Sequence, residues 1–327
     1  MNKKKKQILI LVCLLVLIII AILFLFLQNN GDTYSTEYKE SEREDTVLCG
    51  GTEYQYNDHL SNYLFMGIDT RDPVEEGETR EANGRADAIF LVSYDRVKKT
   101  VKCISIPRDT ITNIHTFSVD GDDLGLTEDH ITMQYMYGDG KDKSCRLMKE
   151  TVSNLMYGVP IQGYCSVNMD GIPTAVKVLG EVNLVVPDDT LEKADPKFKK
   201  GAQVAITAED AELFVRYRDT QQSQSAIARM NRQKVFMEAF VEEAKVKALD
   251  NTDLVVDMYE DLKPYMVTNM GTDLFAQLLD ATYDSKDKIQ DIPGEKVDGM
   301  QFDEYHINGT ELYEFILQNF YKEVQDD

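Results

Sequence analysis

From residue 62 onward the chain alternates two hydrophobic textures. Short runs rich in β-branched and aromatic residues predict strands at 63–68, 88–94, 100–106, 164–169 and 182–186. Longer stretches with apolar residues every three or four positions predict helices at 147–156, 172–179, 208–214, 226–249, 274–283 and 310–321. Strands interleaved with helices imply an α/β fold, an α-β-α sandwich around a central sheet. The link Asp95-Arg96-Val97-Lys98-Lys99 is too short for a crossover, so its two strands are expected antiparallel and the sheet mixed. No period of about 20–50 residues repeats, which argues against a solenoid.

Two segments depart from this texture. Residues 8–27 are an unbroken apolar run, and at about 1.5 Å per residue a helix of that length spans roughly 30 Å, the hydrocarbon thickness of a bilayer. Lys3, Lys4, Lys5 and Lys6 precede it and Gln28-Asn29-Asn30-Gly31-Asp32 follow, which orients the N-terminus toward the cytoplasm. The run exceeds the ~7–15 residues of a signal-peptide core, and no small-x-small cleavage site follows. The expectation is a single-pass cell-membrane protein: cytoplasmic tail 1–7, transmembrane anchor 8–27, and the remainder outside. Residues 28–60 are polar, with Glu37-Tyr38-Lys39-Glu40-Ser41-Glu42-Arg43-Glu44-Asp45 lacking any apolar period, and read as an extracytoplasmic spacer, irregular in part. The main domain is then 61–249, and 250–327 a helical extension packed on it, with no chemistry assigned.

Charge narrows the partners. Without the four N-terminal lysines, 31 of the 35 basic side chains face 57 acidic ones, a formal −26 for the exported part. Such a surface repels nucleic acid and anionic polymers alike, so an anionic substrate must be drawn in by a local basic cluster. The whole chain is 43% hydrophobic, and the roughly 300 residues after the anchor can bury a sizeable core. Cys13 lies in the anchor; Cys103 and Cys165 sit in strand-like runs and read as buried thiols, and Cys49 with Cys145 is left as a candidate pair.

Several standard sites are excluded by inspection: there is no Gly-x-Ser-x-Gly elbow, no Walker-type phosphate loop and no His-Glu-x-x-His, and His59, His115, His130 and His306 lack ligand spacing. Asp120-Gly121-Asp122-Asp123-Leu124-Gly125 begins like a calcium loop, but Leu124 takes a ligand position and Ile131 stands where the closing Glu is needed, leaving an acidic surface loop. What recurs is Asp and Arg at strand ends: Gly67-Ile68-Asp69-Thr70-Arg71, Gly84-Arg85-Ala86-Asp87 and Ser105-Ile106-Pro107-Arg108-Asp109-Thr110. Arg216-Tyr217-Arg218-Asp219 and Arg229-Met230-Asn231-Arg232-Gln233 add to them around two helices. Ligands of α/β sheets bind where such loops converge. Two carboxylates, Asp69 and Asp87, among arginines fit a divalent cation held by hard oxygens beside a phosphate or pyrophosphate gripped by guanidinium forks.

The same residues carry a family resemblance. Leu64-Phe65-Met66-Gly67-Ile68-Asp69-Thr70-Arg71, Arg85-Ala86-Asp87-Ala88-Ile89, Ser105-Ile106-Pro107-Arg108-Asp109-Thr110, His130-Ile131 to Tyr137-Gly138, Val167-Asn168-Met169-Asp170-Gly171, Ala211 to Arg218 and Arg229-x-x-x-Gln233 resemble, in order and character, the LytR-CpsA-Psr family. The likeness covers roughly residues 61–245 and the N-terminal topology. It implies a Gram-positive cell-wall enzyme that attaches a teichoic acid or capsular polysaccharide, moving the glycopolymer from its polyprenyl pyrophosphate carrier onto peptidoglycan through a phosphodiester. It implies magnesium, with manganese as the alternative, at Asp69 and Asp87. Pyrophosphate would be held by Arg71, Arg85, Arg108, Arg216, Arg218, Arg229 and Gln233, with Asp69, Asp87 and Arg108 as the catalytic set; the chemistry of phosphoryl transfer makes Asp69 the candidate base if the metal does not fully occupy it.

Three departures accompany the likeness. The acidic loop Asp72-Pro73-Val74-Glu75-Glu76-Gly77-Glu78 is long; Ser225-Ala226-Ile227-Ala228 replaces an Asp-x-Gly before Arg229, with Asp219 as a substitute carboxylate; and the C-terminal extension is additional. A lipid tail needs an apolar tunnel, expected between sheet and helices near Val167, Val176, Leu179 and Phe214. If Arg216 and Arg218 grip one pyrophosphate, the helix from 208 must end at or before Arg216, because residues two apart share a face only in extended chain. Two other classes use the same residues: a pyrophosphatase of the carrier lipid, and a non-catalytic envelope lipid-binding or regulatory protein.

Overall fold

The computed structural model describes residues 46–75, 77, 79–218, 225–284, 288–298 and 303–324. The expected anchor 8–27, most of the spacer, and Asp219 lie outside the described residues. The chain divides into two compact units, the larger spanning residues 57–320. In the smaller unit β1 (Thr46–Cys49) and β2 (Thr52–Tyr56) form an antiparallel hairpin, and Tyr321–Glu323 pairs antiparallel with β2. The end of the expected spacer is thus strand.

In the larger unit β3 (Leu60–Ile68), β4 (Ala86–Asp95) and β5 (Thr100–Ser105) run as an antiparallel meander. The short link closes because Asp95 Oδ1 accepts the N–H groups of Val97 and Lys98, each at 2.9 Å. The hairpin β6 (Ile111–Phe117) and β7 (Asp123–His130) follows, and its turn carries the acidic loop that begins like a calcium site. β8 (Gly163–Asn168) lies parallel to β3, and β9 (Val182–Val185) pairs with β10 (Gln203–Ile206) in a sheet of their own.

The segment after 250 corrects one expectation. It is not purely helical: β11 (Met266–Thr268) pairs antiparallel with β8, and β12 (Thr282–Tyr283) and β13 (Ile289–Asp291) pair parallel with β5. The central sheet is therefore seven-stranded and mixed, in the order β11-β8-β3-β4-β5-β12 with β13 also on β5. The expected helix 274–283 ends at Asp280, since Thr282 and Tyr283 gain more from pairing with an open edge than from one more helical turn. A hairpin of β14 (Gly294–Asp298) and β15 (Asp303–Ile307) then precedes the helix Gly309–Phe320.

Alternation along β8 shows how both faces are covered. Ser166 Oγ lies 3.3 Å from Tyr135 Oη and 3.4 Å from Cys145 Sγ of the helix Asp142–Leu155 on one side. Its neighbours Cys165 and Val167 face Leu274 and Phe275 of the helix Thr272–Asp280 on the other. This is the α-β-α arrangement. Cys49, Cys103, Cys145 and Cys165 are all free thiols, so Cys49 and Cys145 are not paired. Cys145 is instead buried against the sheet.

Candidate functional site

The site begins at an irregularity of the sheet. Gly67 pairs with Ala88 and Ile68 with Ala86, so Asp87 is the extra residue of a β-bulge in β4. A bulge re-aims one side chain without breaking the strand, and here it delivers a carboxylate at the end of β3. Asp69 follows β3 directly; its N–H donates to Arg85 O at 3.1 Å, and its Oδ1 accepts the Arg85 N–H at 2.6 Å. Gly84 permits this exchange. Its φ is +78°, and a Cβ there would lie 2.4 Å from Thr70 Cγ2 and 3.0 Å from Asp69 Oδ1.

Arg108 comes from the loop after β5, a turn closed by Thr110, whose Oγ1 donates to Pro107 O at 2.6 Å. Its Nη1 donates to Asp87 Oδ1 at 2.5 Å. Nε sits 3.2 Å from Asp109 Oδ1 but is not aligned for a hydrogen bond. Burial would lower the pKa of this guanidinium, yet Asp87 and Asp109 more than offset it and hold the proton more firmly. On the other side of Asp87 the long helix Ser225–Asp250 brings Arg229 Nη1 to 3.8 Å from Oδ2. Burial and the neighbouring Arg108 charge lower the pKa of Arg229, with Arg218 adding to the effect. Arg218, in turn, places Nη2 3.3 Å from Asp303 Oδ2. Arg108, Arg218 and Arg229 therefore crowd around Asp87, Asp109 and Asp303.

The remaining arginines go elsewhere. Arg71 bonds Asp170 at 2.9 Å and also Glu212, and Arg216 reaches the same Glu212 Oε1 at 2.9 Å. Arg85 presents an exposed guanidinium with no ion pair to a described carboxylate. The helix Ala208–Arg216 does end at Arg216, and Tyr217 turns out of it with φ −52° and ψ 132°. Arg216 and Arg218 are nonetheless directed to different carboxylates. Gln233, one turn after Arg229, donates to Val215 O at 3.2 Å.

Beneath Asp87 an apolar cavity of about 420 Å³ separates the sheet from the helices Ser225–Asp250, Leu254–Leu262 and Thr272–Asp280. Phe65, Val92, Val167, Phe236, Phe240 and Met258 line it, while Asp87 and Gln233 belong to the same wall. Of the expected tunnel residues Val167 is there. Val176, Leu179 and Phe214 are fully buried in a core cluster that shares Val215, Ala244 and Leu254 with the wall, and do not line the cavity themselves.

Three contributors escaped the sequence reading. Arg232 is fully buried: Nε donates to Phe214 O at 3.0 Å, Nη1 to Thr190 Oγ1 at 2.5 Å, and Nη2 to Tyr217 O. It ties down the carbonyls at the end of the helix Ala208–Arg216 and so fixes where Arg218 starts. An Arg three residues after Arg229 was visible, but nothing marked it as facing inward. Asp303 and Lys296, 2.8 Å apart, come from the extension to which no chemistry was assigned.

Metal ligation is possible at two carboxylates. Among the described residues no group of three or more His, Cys, Asp or Glu is placed to hold a metal. Asp69 and Asp87 offer hard oxygens, and magnesium characteristically takes one or two carboxylates and completes its shell with water and phosphate. The residues fit a metal that arrives with its phosphate.

Comparison with known proteins bears on the family and the fold. The LytR_cpsA_psr family model matches residues 22–326. The chain is 33% identical over 185 residues to the polyisoprenyl-teichoic acid--peptidoglycan teichoic acid transferase TagV of Bacillus subtilis (strain 168), a match covering 55% of this chain and 42% of TagV. It is 26% identical over 267 residues to the corresponding transferase TagT of the same strain, covering 81% of this chain and 76% of TagT. The matched region is thus less than half of TagV and about three quarters of TagT. Among solved structures, B. subtilis TagV superposes with a TM-score of 0.58 at 26% identity, over 80% of this chain and 96% of that one. TagT bound to LI-WTA gives 0.58 at 23% identity, over 80% and 90%, a likeness of fold. With its motif order, its mixed sheet and a family model that spans nearly its whole length, the chain belongs to the LytR-CpsA-Psr family.

Proposed function

We propose that this protein is a phosphotransferase that moves a glycopolymer from a polyprenyl pyrophosphate carrier onto peptidoglycan, leaving a phosphodiester. The observation that carries the reading is that one wall serves two chemistries: Asp87, bonded to Arg108, also lines the apolar cavity. A diphosphate and the long apolar chain attached to it can therefore be held together. Each buried methylene contributes about 0.8 kcal/mol, so ten such carbons contribute on the order of 8 kcal/mol before ordering costs. That is enough to select a lipid-linked donor over a free sugar phosphate. The names of TagV and TagT point to a teichoic acid as the polymer class, with capsular polysaccharide as the alternative.

In this reading a peptidoglycan hydroxyl oxygen attacks the polymer-bearing phosphorus, the bond to the bridging oxygen breaks, and polyprenyl phosphate leaves. Asp69 takes the hydroxyl proton through an oxygen that a bound metal leaves free; the Arg85 N–H on Oδ1 orients the carboxylate. Arg108, Arg218 and Arg229 face charge building on the departing phosphate, and their planar forks match its oxygens. Asp69 and Asp87 would hold magnesium, or manganese in its place, which would supply the positive charge a diphosphate needs where three arginines already face three carboxylates. The apolar run 8–27, as a membrane anchor with the N-terminus inside, keeps the domain where both the carrier lipid and the wall are within reach.

The test is to incubate the full chain with magnesium, a polyprenyl-linked glycopolymer and peptidoglycan oligomers. A joined, phosphodiester-linked product supports the reading. Free polymer phosphate without joined product makes the protein a hydrolase of the same lipid, and lipid binding without turnover makes it a binding protein.

A further inference from the structure

We infer that the C-terminal hairpin of β14 and β15 is a wall of the phosphate site, and that Asp303 is a positioning residue that holds Arg218 toward Arg108 and Arg229. This rests on the reading of the arginine cluster as a phosphate site and deepens it. The hairpin is fastened to the loop that carries Arg108 by backbone: Tyr305 N–H donates to Asp109 O at 2.8 Å, and Thr110 and Tyr305 form a parallel bridge. His130 Nε2 lies 3.1 Å from Asp303 O. These contacts at Tyr305 and at the Asp303 carbonyl hold the Asp303 backbone beside the loop of Arg108.

That carboxylate is shared. Lys296 Nζ lies 2.8 Å and Arg218 Nη2 3.3 Å from the same Oδ2. The bond to Lys296 and the charges of Arg218 and Arg108, working against burial, hold the Asp303 carboxyl below the usual range, so it is ionised at neutral pH. Arg218 leaves the helix Ala208–Arg216 on an extended residue, and a long side chain there has many rotamers. A fixed anion selects the one pointing at the cluster. Asp303 Oδ2 meets the Arg218 guanidinium at Nη2, 3.3 Å away.

The experiment is a double-mutant cycle on the full chain, reading the affinity for geranylgeranyl pyrophosphate by titration calorimetry with magnesium present. Asp303→Asn keeps the shape and removes the charge; it is expected to weaken binding about tenfold in the wild-type background and less than about twofold when Arg218 is already alanine. Asp303→Glu is expected to recover most of the loss. If Asp303→Asn costs the same with and without Arg218, or costs nothing while Arg218→Ala weakens binding, the assignment of Asp303 is overturned and the phosphate site stands. If Arg108→Ala and Arg218→Ala both bind at wild-type affinity, the phosphate site itself falls, and the role of Asp303 with it.

Discussion

Arg108 Nη1 donates to Asp87 Oδ1 at 2.5 Å, joining the loop after β5 to the bulged residue of β4. Neither element alone makes a site. The bulge turns a carboxylate out of the sheet, and the arginine neutralises it while keeping its other N–H groups for a ligand.

Replacing Arg108 by Lys keeps the charge and loses the planar fork. The expected loss in transfer is about 1.5–3 kcal/mol, or roughly 10- to 100-fold, with alanine costing more. The rate of joined product with a lipid-linked donor measures it. Wild-type turnover in Arg108→Lys would remove Arg108 from the phosphate site.

Filling the cavity separates tail binding from stability. Val167 lines the cavity, so Val167→Phe is expected to fill part of it and abolish transfer from long-chain donors while leaving the thermal midpoint largely unchanged. Val176, fully buried in packed core, behaves oppositely: Val176→Phe is expected to cost about 1–3 kcal/mol of stability. Thermal unfolding and transfer measured on the same pair of variants decide the matter.

Cys103 and Cys165 also line the cavity, and burial pushes both thiols up to about 12. Alkylation by a lipophilic maleimide at about pH 8 is therefore expected to be slow, because the thiolate is the reactive form. Geranylgeranyl pyrophosphate should slow it further by occupying the same space. Labelling that is fast, or indifferent to the lipid, would place the apolar chain elsewhere.

Arg71 and Arg216 converge on Glu212. Burial would raise the Glu212 carboxyl, but the bonds from these two arginines outweigh it and hold it below the usual carboxylate range. A carboxylate depressed in the folded state contributes stability that is present above its unfolded pKa, about 4.3, and is lost as pH falls through the folded value. Wild type is thus expected to exceed Glu212→Gln in stability near neutral pH and to approach it in acid below about pH 4. Denaturant unfolding across that range is the measurement, and a pH-independent difference would show that the cluster carries no such linkage.

The sequence was most legible where local signals and the fold agree. The five-residue link 95–99 implied antiparallel neighbours, and β4 and β5 are antiparallel. Strand-end motifs marked Asp69, Asp87 and Arg108, the start of the long helix marked Arg229, and the structure brings Asp87, Arg108 and Arg229 together. What stayed hidden depends on distant pairing. The strands 266–268, 282–283 and 289–291 are too short to carry a period, and they form because the edges at β8 and β5 are open. Asp303 reads as one more acid in an acidic chain until β15 is fastened to the loop of Arg108. Arg216 and Arg218 look alike in sequence, and the carboxylates that separate them, Glu212 and Asp303, lie 4 residues before the first and 85 after the second.

The central claim is that one lipid diphosphate has its head at Asp87, Arg108, Arg218 and Arg229 and its tail in the cavity below. A structure of the protein with geranylgeranyl pyrophosphate and magnesium tests it most directly. The account predicts phosphate oxygens within hydrogen-bond distance of Arg108 and at least one of Arg218 and Arg229, with the isoprenoid chain against Phe65, Val167 and Phe236. A diphosphate seated on Arg71 and Arg216, or a chain lying outside the cavity, would contradict it.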